Sequence, residues 1–198
     1  MIASALLLTA GVSTASAQAA LVPRITFGVL AGANFAKVSG SDDADGFDSR
    51  TGFVGGLSAD FHLGNNLGLE IDGLYSQEGA SFGDAATLKF DYVRVPVLFR
   101  YTVPTHTSIR PFVTVGPSLG FKVSCKGSLS GESADCDEFL AEDVKSFDIG
   151  GSIGAGVAFK VGKEELSLQG RFMQGFSKPD SDLDLKNQNF SLMAGFTF

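Results

Sequence analysis

The sequence predicts an all-β fold: an eight-stranded antiparallel transmembrane β-barrel with up-and-down meander order. Three observations carry this. Period-two alternation recurs in eight segments of about 10 to 16 residues, and no helical stripe of useful length appears after the first seventeen. The connections between segments are alternately short and long. The apolar face of each segment is also too bulky to fit inside a barrel of only eight strands, which encloses room for side chains and little else.

The segments justify the fold in order. The first, 24–38, sets Ile25, Phe27, Val29, Ala31, Ala33 and Phe35 on one face. The second, 51–62, alternates Phe53, Gly55, Leu57, Ala59 and Phe61. The third, 67–78, places Leu67, Leu69, Ile71, Gly73 and Tyr75 against Glu70, Asp72 and Ser76. In the fourth, 87–102, Val93, Val95, Val97, Phe99 and Tyr101 share a face. Leu88, Phe90 and Tyr92 run out of phase with them, which predicts a bulge near Tyr92. The fifth, 109–123, alternates Val113, Val115, Leu119 and Phe121 with Arg110, Thr114, Ser118 and Lys122. The sixth, 144–160, sets Phe147, Ile149, Ile153, Val157 and Phe159 against Asp148 and a run of Gly and Ser. The seventh, 166–177, sets Leu168, Phe172 and Phe176 against Ser167, Gln169 and Arg171. The eighth closes the chain, with Phe190, Leu192, Ala194, Phe196 and Phe198 opposite Asn189, Ser191, Met193, Gly195 and Thr197.

Residues 63–66, 103–108 and 161–165 read as short turns. The stretches 39–50, 79–86, 124–143 and 178–188 are longer and richer in Asp, Ser and Gly. An even-stranded sheet with short turns on one side and long loops on the other is the pattern of a bacterial outer-membrane barrel, with its short turns and both chain ends in the periplasm. In lipid the usual arrangement inverts: every backbone group must be paired within a closed sheet, and the apolar face looks outward. Aromatics support this by position. Phe27, Phe61, Tyr101, Phe159 and Phe198 lie toward the short turns, and Phe35, Tyr75, Phe121, Phe147, Phe176 and Phe190 toward the long loops, as two interfacial girdles require.

Composition bounds the partners. Of 198 residues, 44% are hydrophobic and 19% charged. Gly (25) and Phe (18) are abundant and Trp is absent, so the girdles must be built from Phe and Tyr. A net charge of −7, with a pI near 4.7, excludes a basic nucleic-acid-binding surface. At the N-terminus, the apolar run 2–12 followed by Ala15-Ser16-Ala17 predicts a secretory signal peptide over 1–17, cleaved before Gln18, with the barrel domain over 18–198. No Lys or Arg precedes the apolar run. The two cysteines, Cys125 and Cys136, sit close together in an acidic stretch, which in an exported chain suggests one disulfide closing a loop.

Several stretches resemble a known group. GVLAGANF, LEIDGLYSQEG, FDYVRVPVLFRY followed by IRPFVTVGPSLGF, and the closing FSLMAGFTF resemble the outer-membrane β-barrel domain of PorT-like, OmpA/OmpX-type small porin-family proteins, over essentially all of 24–198. The terminal Phe198, with Phe196 two residues before it, is similar to the signal read by the outer-membrane barrel-assembly machinery. The resemblance implies fold and location, with outer-membrane lipids as surroundings; it implies no single activity. The chain stops at its eighth strand, so the appended peptidoglycan-binding domain of longer OmpA proteins is not expected.

The predicted interior carries both signs of charge: Asp60, Glu70, Asp72 and Asp148 against Arg94, Arg100, Arg110, Lys122 and Arg171. Such residues could line a polar channel. A network of ion pairs filling a narrow lumen fits eight strands better, because buried charges need partners. An enzyme that remodels outer-leaflet lipid is a rival class. It would need a Ser nucleophile beside a His base, and the only histidines, His62 and His106, fall at the short turns, so no catalytic residue is assigned. A soluble lipocalin-like ligand-binding barrel is a second rival and would need its apolar face inside. DDADGFD and PDSDLD space carboxylates at i, i+2, but neither matches a calcium-binding EF-hand loop; no metal or other cofactor is assigned. Loop 124–143, with six acidic residues and one Lys, is the expected recognition surface for a partner outside the cell. The sequence therefore points to a non-enzymatic outer-membrane barrel serving membrane integrity or surface interaction, or at most very narrow solute passage.

Overall fold

The computed structural model describes residues 24–39, 48–64, 66–82, 86–129, 132–135, 147–176 and 186–198. The predicted signal peptide, most of DDADGFD, all of PDSDLD, and Cys136 lie outside them. Nine strands are present among the described residues: β1 (Arg24–Ser39), β2 (Asp48–Gly64), β3 (Leu67–Phe82), β4 (Ala86–Thr102), β5 (Ile109–Leu129), β6 (Glu132–Asp135), β7 (Phe147–Val161), β8 (Glu164–Gly175) and β9 (Lys186–Thr197). Eight of them form a closed antiparallel ring in the order β1-β2-β3-β4-β5-β7-β8-β9, and β6 pairs with β5 outside it. At the seam Thr197 pairs with Gly28 on one side and Glu165 on the other, and the Phe198 N–H donates to the Phe27 carbonyl at 2.9 Å. No edge is left open in the ring, as lipid demands.

Burial runs opposite to that of a soluble sheet. Leu57, Val115 and Ile153, each near the middle of its strand, are more than half exposed, while Glu70 and Asp72 are almost completely buried. The outward apolar positions run from Phe53 to Phe61 on β2 and from Phe190 on β9 to Phe198 just past its end. That is about nine residues, the length a tilted strand needs to cross the hydrocarbon layer. Aromatics cap the band at both ends. Toward the long loops Phe35 meets Phe190 at 6.4 Å between centroids and Phe121 meets Phe147 at 5.2 Å; at the short-turn end Phe196 meets Phe198 at 6.3 Å. The turns suit their residues. In β7–β8 a two-residue turn places Gly162 at φ 72°, and in β2–β3 Gly64 and Asn66 take φ values of 102° and 82°, a region that Gly and Asn tolerate best.

Two local readings of the sequence need correction. The register between β4 and β5 does shift at Asp91/Tyr92, but the extra residue is Val123 on β5: Asp91 pairs with Ser124 and Tyr92 with Lys122. Strand β4 keeps one phase throughout, so Phe90 and Tyr92 share the inner face with Arg94, and the Arg94 guanidinium lies 4.6 Å from the Tyr92 ring centroid. The bulge instead brings Cys125 onto the face of its partner Phe90. Second, 124–143 is not all loop, because β5 continues to Leu129 and turns back through β6. Phe112 joins Phe90 and Tyr92 among the inward-facing aromatics: it is buried beneath Arg100, whose guanidinium stands 3.9 Å from its ring centroid.

Replacing Leu57 on the lipid face with Arg should lower stability by about 2–4 kcal/mol, as for cationic residues near the bilayer midplane. Urea unfolding of the protein folded into phospholipid vesicles measures it.

Candidate functional site

The inner face is built from alternate residues of all eight ring strands, and strand parity decides what reaches it. On β3, Glu70, Asp72, Leu74, Ser76 and Glu78 project inward together; on β8, Gln169, Arg171 and Met173 do. Three layers follow along the barrel axis.

Toward the long loops Arg94 grips Glu78 in a two-point contact, Nε to Oε1 and Nη2 to Oε2, both 2.6 Å, and reaches Asp148 Oδ2 at 2.8 Å with Nη1. Polar side chains complete the shell. Ser76 Oγ and Asn189 Nδ2 donate to Glu78 Oε1 at 3.0 and 3.1 Å, and Asn34 Nδ2 donates to Ser76 Oγ at 3.0 Å. Ser191 Oγ bridges Asn34 Oδ1 and Asn189 Oδ1, each at 3.1 Å. Arg50 donates to the Glu78 carbonyl oxygen. Gly120 makes the layer possible, because a Cβ there would lie 2.5 Å from Arg94 Nη1.

Toward the short turns a longer chain of charges runs across the barrel. Arg171 holds Asp72 Oδ2 and Glu70 Oε1, both at 2.6 Å, and Gln169 Oε1 at 3.2 Å. Glu70 also accepts from Arg100 Nη1 at 3.3 Å, and Arg100 continues to Asp60 Oδ1 at 3.4 Å and Glu165 Oε1 at 3.1 Å. Glu165 pairs with Arg110. Four carboxylates and three guanidiniums from five strands are thus linked without a break. Phe112 floors the layer under Arg100. Gly156 gives it room, since a Cβ there would lie 2.6 Å from the Phe112 ring edge.

Between the two ionic layers Leu30, Val54, Leu74 and Met193 form a buried apolar cluster. The cavity nearest to it measures about 20 Å³, space for one water and no more. The large cavity is at the short-turn mouth, an open vestibule of about 730 Å³ that ends at Arg100 and Asp60.

The structure therefore brings Glu70, Asp72 and Arg171, Asp60, Arg100 and Arg110, and Arg94 and Asp148 into these layers. Lys122 lies on the inner face opposite Tyr92, one strand over from Arg94. Two acids that complete the layers, Glu78 and Glu165, were not singled out in the sequence. Parity could have found both: Glu78 is in step with Glu70, Asp72 and Ser76, and Glu165 with Ser167, Gln169 and Arg171. His62 sits at the vestibule, its Nδ1 3.0 Å from the Arg24 carbonyl oxygen, and His106 in the exposed β4–β5 turn. Cys125 is on β5 and Cys136 lies outside the described residues. Among the described residues no cluster of His, Cys, Asp and Glu has a metal-binding arrangement.

An apolar outside, a closed ring and an ionised, filled inside define a small barrel of the bacterial outer membrane. The chain belongs to the outer membrane protein beta-barrel domain family, whose model matches residues 16–180. No curated protein matches the sequence. Among solved structures it is similar to Neisserial surface protein A, at 20% identity and TM-score 0.54 over 87% of this chain and 97% of that one. It is also similar to the outer membrane enzyme PagL, at 18% identity and TM-score 0.53 over 84% of this chain and 97% of that one. Both likenesses speak to the fold. The protein is an integral outer-membrane barrel, and a soluble barrel with its apolar face inside is ruled out.

Removing one partner from a buried pair strands the other. Arg171→Ala, which abandons Asp72 and Glu70 together, should cost about 3–5 kcal/mol, and Glu70→Ala should also lower the melting temperature. Asp148→Asn keeps an acceptor for Arg94 and should cost less than either. Thermal melts of the three variants, followed by gel mobility, give the ranking.

Proposed function

We propose that the barrel is a non-enzymatic, non-conducting element of the outer membrane that supports the envelope and carries a surface-interaction face on its long loops. One observation carries this reading: the lumen is blocked by two ion-paired layers with an apolar layer between them. A hydrated ion would have to strip its shell to pass Leu30, Val54, Leu74 and Met193, whose side chains offer no hydrogen-bonding groups to replace it. In this reading the interior ion pairs are structural, filling the lumen and fixing strand register.

The same reading assigns the remaining features. Residues 1–17 direct export and are removed before Gln18. Phe196 and Phe198 are the residues the barrel-assembly machinery recognises. A Cys125–Cys136 bridge closes part of loop 124–143, reducing the conformations the recognition surface samples. Acyl-transfer chemistry on outer-leaflet lipid is disfavoured because both histidines lie at the periplasmic end, a membrane thickness away from that leaflet.

In planar bilayers the purified barrel should give no discrete conductance steps, whereas a regular series of steps would refute the blocked lumen. In whole outer membranes, the lipid A acylation pattern should be the same with the protein, without it, and with His62→Ala/His106→Ala. Reduction should raise protease cleavage within 124–143 and leave the melting temperature of the barrel almost unchanged.

A further inference from the structure

The vestibule at the short-turn mouth has more positive charge than its pairing uses. Five basic side chains line it, Arg24, Arg100, Arg110, Lys160 and Lys163, against the acids Asp60, Glu164 and Glu165. On its floor Arg100 and Arg110 are tied to Asp60 and Glu165. At the rim Arg24, Lys160 and Lys163 are exposed and make no ion pair among the described residues. Among the described residues Glu164, next to Lys163, is the one acidic side chain at the rim not used on the floor, and the carboxylate of Phe198 lies at the same mouth.

The rim cations do not stand together by sequence accident. Arg24 opposes His62 at the start of β1, and Lys160 opposes Glu165 at the end of β7. They flank the mouth-side ends of β8 and β9, Lys160 from β7 and Arg24 from β1, with Lys163 on the turn between β7 and β8. Arg110, deeper in, has its Nε buried without an acceptor, so the floor has a donor in reserve. Hydroxyls of Thr26, Thr102 and Thr197 line the same space.

We propose that this vestibule binds a polyvalent oxyanion of the phosphate class from the periplasmic side. Separated cations on two walls suit an anion with several charged oxygens, whereas a lone carboxylate would satisfy only one of them. The space holds a small polyphosphate whole. It would also admit a phosphate headgroup tilted in from the inner leaflet, since the rim lies at the girdle of Phe61, Tyr101 and Phe198.

The test uses the folded full-length protein in micelles of a neutral maltoside detergent, titrated calorimetrically with tripolyphosphate at low ionic strength. Saturable binding at one site is expected, weakening as salt is added. Arg24→Gln/Lys160→Gln should weaken it by at least about tenfold. Lys89→Gln/Lys126→Gln removes the same charge at the opposite end of the barrel and should leave it unchanged. Heat-modifiable gel mobility verifies that each variant is folded. No saturable heat, or equal losses in the two double variants, overturns the proposal. Repeating the titration in nanodiscs containing phosphatidylglycerol identifies the source. Weaker tripolyphosphate binding than in micelles, lost in Arg24→Gln/Lys160→Gln, means that a lipid headgroup occupies the site; unchanged binding means that a soluble anion does.

Discussion

Closure of the backbone hydrogen-bond ring is the constraint from which the rest of this structure follows. In hydrocarbon an unpaired N–H or C=O costs several kcal/mol, with about that penalty repeated at each group along an open edge. The seam between β1 and β9 therefore has to form, and the last residue is drawn into it through Phe27. Strand lengths, the terminal aromatic and the alternation of every segment all serve that one requirement.

Closing eight strands leaves a lumen as wide as the side chains inside it, and that width determines its chemistry. Long apolar chains from every strand would overfill it. Gly and Ser alternate with a few large groups instead, and those groups are mostly arginines and acids that span the bore. Their charges have left water at considerable cost, so they stay ionised only in company. This explains why the guanidiniums make two- and three-point contacts, and why Asn34, Asn189 and Ser191 complete the shell around Glu78. Gly120 and Gly156 are part of the same packing, absent side chains that admit Arg94 and Phe112.

Much of this was legible in the sequence, for a physical reason. Lipid outside and a narrow polar bore inside make period-two alternation unusually clean, so strand number, strand phase and the direction of each face could be read off residue by residue. What could not be read was anything fixed by neighbours across the ring. Arg171 meets Asp72 and Glu70, about a hundred residues earlier, only because closure puts β8 and β3 on facing walls. Glu78 and Glu165 escaped notice because they sit at the ends of their segments, where alternation gives way to loop composition. Out-of-phase Phe90 and Tyr92 looked like a bulge on β4, yet the bore accepts them and the irregularity passes to Val123 on the neighbouring strand. Strand β6 is only four residues, Glu-Ser-Ala-Asp, three of them polar, and carries no apolar rhythm that could announce it.

The long-range pairing of Arg171 also bears on how the barrel comes into being. Asp72 and Glu70 enter with the third strand, and their shared cation arrives with the eighth element of the chain. A half-built sheet therefore carries Asp72 without its cation as well as a bare edge, and Glu70 with only Arg100 from the fourth strand, until the far wall swings into place. Assembly is cooperative for an electrostatic reason as much as a hydrogen-bonding one, and a barrel that stalls midway is a poor resting state in a bilayer.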